Sequence, residues 1–157
     1  MDEKNITTKI LVKSYNELKD VEKQLVDLAK EATQDSYSPY SHFQVGAAIL
    51  LENGVMIKGC NQENAAFPAG ICAERSAIFA AGALYPDVAP TTLAIAARQP
   101  NGELTAEPVS PCGTCLQVII ETETRFSKPL RILLYGKNKV YVMDGIKHLM
   151  PLSFTEF

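Results

Sequence analysis

The chain has 157 residues and a mass of 17.2 kDa, one domain's worth of sequence, and its 46% apolar content fills one sizeable core. With 15 Lys+Arg against 18 Asp+Glu the formal charge is −3, and neither sign gathers into a block that could track a phosphate backbone or grip an anionic membrane, which counts against both as partners. No apolar run approaches the ~18 residues of a membrane helix, and Met1 to Asn5 starts no secretory apolar segment, so a soluble, cytoplasmic protein is expected.

Residues 1–15 carry no amphipathic stripe and read as an arm or an extra turn before a single domain spanning 1–157. Leu18, Val21, Leu25, Leu28 and Ala32 recur at steps of three and four among charged residues, which predicts an amphipathic helix ending near Asp35. Val45 to Leu51 is short and apolar, Glu52-Asn53-Gly54 is a tight-turn signature, and Val55 to Gly59 completes a predicted β-hairpin. Cys72 to Leu84 is rich in alanine and predicts a buried helix, Thr92 to Ala97 a core strand, and Cys112 to Thr122 a third helix. Arg131 to Tyr135 and Val140 to Met143 flank Gly136-Lys137-Asn138 as two more strands, before a last helical turn about Ile146 to Met150. Such alternation predicts an α/β layered domain with helices covering a mixed five-stranded sheet.

Four cysteines, 60, 72, 112 and 115, could form disulfides, but a chain with this core needs no staples and metal binding is the better use. Pro111-Cys112-Gly113-Thr114-Cys115 puts two thiols on one face at a helix start. Taken alone the pair is ambiguous, because a redox dithiol sits in the same place. Cys72-Ala73-Glu74 opens another helix and supplies a third thiol. Three cysteine ligands with the fourth position left to water fit an open, catalytic zinc site. Glu74, two residues past Cys72, is a neighbour of such a site rather than a ligand, and a carboxylate there suits general acid–base work. Three thiolates against Zn²⁺ leave −1. Two helix N-termini at about +0.5 each, with Arg75 beside them, would offset it.

Cys72-Ala73-Glu74-Arg75 with Pro111 to Cys115 resembles the zinc-dependent cytidine deaminases of the short-chain homotetrameric type. Tyr37-Ser38-Pro39-Tyr40-Ser41, Phe43 to Ala48, Gly59 to Ala65 and Met150 to Phe154 extend the resemblance, in order and spacing, from about Leu18 to Phe154. The resemblance implies a three-layer α-β-α fold and hydrolytic deamination of cytidine and 2′-deoxycytidine, with one zinc per subunit. It also implies roles: Cys72, Cys112 and Cys115 bind zinc, Glu74 shuttles protons, and Arg75 offsets thiolate charge. Asn61 and Glu63 bond the ribose, Phe43 packs near the nucleoside, the backbone of Ala73 meets the pyrimidine, and Phe154 reaches a neighbouring subunit's site in a homotetramer with shared active sites.

Three positions depart from the family pattern: Leu116 where arginine is usual, Gln62 for an aliphatic residue and Phe67 for tyrosine. Cys60 reads as a core thiol, His42 as a loop side chain near the pocket mouth, and His148 as part of the terminal turn. Two rival readings stand beside the first. One is a deaminase of another aminopyrimidine nucleoside such as blasticidin S, and the other a non-catalytic zinc or dithiol redox module.

Overall fold

The computed structural model describes residues 1–155. In chain order the elements are β1 (Leu11–Lys13), α1 (Asp20–Ala32), β2 (Gln44–Leu51), β3 (Met56–Cys60), α2 (Ala73–Leu84), β4 (Pro90–Arg98), α3 (Gly113–Phe126), β5 (Arg131–Tyr135) and β6 (Val140–Asp144). Short 3₁₀ turns lie at Tyr15–Glu17, Thr33–Asp35, Phe67–Ala69 and Ile146–His148. The strands form one sheet in the order β1-β6-β5-β4-β2-β3. The pair β4/β5 is parallel and every other neighbouring pair antiparallel.

The sheet has six strands where the sequence predicts five. The sixth is β1, from the segment read as an arm; it pairs antiparallel with β6 through Leu11↔Val142, Val12↔Tyr141 and Lys13↔Val140. Three residues are too few to show an alternating pattern, and it is pairing with a distant strand that makes them a strand. Tyr15 then anchors the segment to α1: its hydroxyl donates to Asp27 at 2.7 Å, and Lys30 Nζ sits 5.3 Å from its ring centroid and 5.2 Å from that of Tyr135.

The helices cover both faces, giving the expected three layers. On one face Leu25, Val26 and Ala29 of α1 pack on Ala48, Ala94, Leu133 and Val142. On the other, Ala73, Ala77 and Ile78 of α2 and Ile119 and Ile120 of α3 pack on Ala47, Ile49, Leu93, Ile95 and Ile132. Successive residues of β2 and β4 therefore serve opposite cores, which is why both strands read as unbroken apolar runs. Gly59 lets α2 approach: a Cβ there would lie 2.4 Å from Ala77 N and 2.8 Å from Ala73 O. Among the described residues, no helix is long and apolar enough to cross a membrane.

Candidate active site

Two helix starts on one face of the sheet build the site. Cys72 caps α2 and Cys112 caps α3, both with extended backbone (φ −76°, ψ 156° and φ −70°, ψ 164°) that turns each side chain out of its helix. Cys115 lies in the first turn of α3 and is buried. The sulfurs of all three lie within 4.8 Å of one another, those of Cys72 and Cys112 at 3.7 Å. Tetrahedral zinc with ligands at about 2.3 Å needs sulfurs roughly 3.8 Å apart, so the donor set fits this ion in both chemistry and size. A redox dithiol requires two sulfurs, and the third placed here favours a metal.

The thiols share charge unequally. Hydrogen bonding from Cys115 holds the Cys72 thiol down to about 5, helped by the Arg75 guanidinium, whose Nη2 is 3.7 Å from Cys72 Sγ. Cys115 is pushed the other way, above the ordinary thiol range, by its bond to Cys72 and by burial. Arg75 thus stands beside the thiolate whose charge it was expected to offset. Glu74, in the first turn of α2, is only 4% exposed, and burial raises its carboxyl above the usual range, with the Cys72 charge adding to the effect.

Glu74, Cys72 and Cys112 line a cavity of about 200 Å³ together with Phe43, Asn61 and Ala73. Val45, Ile95, Val109 and Ser110 complete its wall. Asn61 and Cys72 also border a wider cavity of about 590 Å³, lined further by Tyr40, Ser41, Glu63, Phe67 and Arg75. Eight of the expected positions therefore meet at two adjoining spaces, with Cys115 buried behind them. Phe154 lines neither cavity; its carbonyl accepts a bond from Gln117 Nε2 at 3.0 Å.

The polar side chains of this shelf are held by bonds the sequence did not reveal. Asn61 Oδ1 accepts from Val45 N (2.8 Å) and from the Ser36 hydroxyl, and its Nδ2 donates to Phe43 O at 2.9 Å. Glu63 accepts from Tyr40 N (2.9 Å), Ser41 N (3.2 Å) and the Ser41 hydroxyl. Asn61 is thus a clamp on the start of β2 as well as a pocket residue. Ser36 and Ser41 went unassigned because a serine in a turn has no pattern that names its partner. Ser110 could have been suspected, since it precedes Pro111-Cys112 directly. Leu116 packs against the core cluster formed with α2. Cys60 is half-buried outside the thiol cluster, accepting a bond from Gln62 Nε2 at 3.2 Å. His42 sits in the loop with a left-handed backbone (φ 56°), and His148 Nδ1 accepts from Lys9 N at 3.1 Å.

Residues 19–127 match the sequence profile of the cytidine and deoxycytidylate deaminase zinc-binding region. The chain belongs to this family. A cytidine deaminase of Halalkalibacterium halodurans is 42% identical over 139 residues, covering 83% of this chain and 92% of that protein. One from Sporosarcina psychrophila is 45% identical over 102 residues, 65% of this chain and 69% of the other. Among solved structures, the cytidine deaminase of Burkholderia pseudomallei superposes with a TM-score of 0.70 at 34% identity, covering 83% of this chain and 97% of that one. The enzyme from Mycobacterium tuberculosis gives 0.66 at 28% identity, over 85% and 96%. As a zinc-binding deaminase domain, the chain accounts for its thiol cluster as a site for one zinc ion per subunit.

Proposed function

We propose that the chain is a cytidine deaminase that converts cytidine and 2′-deoxycytidine, with one water, to the uridine nucleosides and ammonia. The observation that carries this reading is the buried Glu74 carboxyl lining the same small cavity as Cys72 and Cys112. The chemistry supplied by bound zinc, held by Cys72, Cys112 and Cys115, is Lewis-acid activation of water. Glu74 takes a proton from the water that adds at C4 and passes it to ring N3, then takes the proton of the new C4 hydroxyl and delivers it to the amino group as the C4–N bond breaks and the C4 carbonyl forms. Its raised affinity for protons, a consequence of burial, suits it to that traffic. Arg75 balances thiolate charge.

Phe43 packs against the nucleoside, the N-terminal backbone of α2 at Ala73 meets the pyrimidine, and Asn61 and Glu63 hold the sugar. The supply of hydrogen bonds supports this last assignment. Asn61 has one N–H left and Glu63 one accepting position, together the complement of a single hydroxyl. Substrates are free nucleosides in the cytoplasm, met by the whole chain as one catalytic unit in pyrimidine salvage. A homotetramer in which Phe154 completes a neighbour's site is supported by exposed apolar side chains at Phe67, Phe79, Leu84 and Phe154. Ammonia release from cytidine by zinc-loaded protein tests the activity, and an elution volume tests the assembly. Absence of ammonia with zinc bound overturns the reading.

A further inference from the structure

We propose that Ser41 is a positioning residue of the sugar shelf, its one hydroxyl setting the Glu63 carboxylate and the Phe43 backbone as a single unit. The inference rests on the reading of Glu63 and Phe43 as nucleoside contacts. Ser41 Oγ accepts a bond from Phe43 N–H at 3.1 Å, so its own O–H is free to be the donor to Glu63 Oε1. The other carboxylate oxygen takes Tyr40 N–H and Ser41 N–H. Glu63 is half-buried at the cavity wall, and its carboxylate is set by these bonds to both of its oxygens. They come from one two-residue stretch of the loop that leads into β2, where Phe43 enters the small cavity while Ser41 and Glu63 border the wide one.

Without the Ser41 hydroxyl, Phe43 N–H loses its acceptor and Glu63 Oε1 its donor. The carboxylate can then swing about its two remaining bonds, and the aromatic ring is no longer tied to it. The charge on Glu63 responds to the same contact: the Ser41 bond is the largest influence holding its carboxyl below the ordinary range. The titratable groups around Glu63 are Tyr40 and His42 from the same loop, the latter also favouring the carboxylate, and Arg75 and Cys72, which line the wide cavity with it.

The test compares zinc-loaded wild type, Ser41→Ala and Ser41→Thr. Losing one neutral hydrogen bond should raise the cytidine KM roughly threefold to tenfold, leaving kcat within about twofold because the reacting atoms lie elsewhere. Uridine affinity, measured by calorimetry, should fall by the same factor, and Ser41→Thr should restore both. In ligand-free protein, ¹³C NMR of the Glu63 carboxyl should titrate at higher pH in Ser41→Ala than in wild type or Ser41→Thr. An unchanged KM in Ser41→Ala, a fall in kcat without a rise in KM, or a Glu63 titration identical to wild type overturns the proposal. Wild type that deaminates no cytidine would instead sink the functional reading, and the carboxyl titration alone then decides the role of Ser41.

Discussion

Cys72 Sγ lies 3.7 Å from Cys112 Sγ although the two residues are 40 positions apart and cap different helices. Neither helix can move without separating them. The metal site is therefore a joint between α2 and α3, and what happens at the sulfurs is felt in the packing of both helices.

Cys112→Ala removes one of three anionic donors and should release zinc, since no other cysteine, histidine or carboxylate joins the cluster among the described residues. Metal analysis after dialysis should find less than a tenth of an equivalent, with a lower melting temperature than wild type. Full occupancy would contradict the ligand set.

Glu74→Gln keeps the size of the side chain and removes its ability to carry a proton. Turnover should fall roughly 10²–10⁴-fold with zinc content unchanged. The melting temperature should not drop, because a buried neutral amide replaces a carboxyl that burial already disfavours as an anion. Ammonia release and metal content on one sample check all of this.

Gly59→Ala pushes a methyl group into the backbone of α2, with 2.4 Å to Ala77 N and 2.8 Å to Ala73 O. Backbone cannot yield as a flexible side chain would, so the helix start carrying Cys72 and Glu74 must lift from the sheet. Urea unfolding should show a loss of about 1–3 kcal/mol, accompanied by weaker zinc retention. A stable variant with normal metal binding would mean that α2 accommodates the shift.

Glu22 supplies a pH dependence far from the site. Burial works to raise its carboxyl, but the Lys19 N–H at 3.0 Å and the Arg131 guanidinium at 2.6 Å outweigh it and hold the group below its ordinary value of 4.5. A depressed folded-state pKa means that this stabilisation is fully present above the unfolded value and is lost as pH falls through the folded one. Urea midpoints taken downward from pH 6 should decline below about pH 4.5, with a shallower decline in Glu22→Gln. At pH 7 the substitution should cost roughly 1–3 kcal/mol.

The helices and central strands were legible because each element's pattern follows from what it buries. α1 shows one stripe because one face meets the sheet, and β2 and β4 show none because both faces do. The thiol cluster was legible for a related reason: cysteines at helix starts have their direction set by the cap. β1 was not, because nothing local distinguishes Leu11–Lys13 from a disordered stretch until β6 lies beside it. The hydrogen bonds of Asn61 and Glu63 were equally hidden. Their partners at Ser36 and Ser41 are 25 and 22 residues away in the chain, and only the folded loop decides which hydroxyl meets which side chain.

The joint between Cys72 and Cys112 also bears on how the chain folds. An ion bridging them closes a loop of 40 residues that contains all of α2 and β4, much as a covalent cross-link would. By the chain-entropy relation for cross-links, such a closure removes about 4 kcal/mol of freedom from the unfolded ensemble if the ion remains bound there. Zinc held early would therefore act as a folding template, bringing the two crossover connections together before the sheet between them is complete.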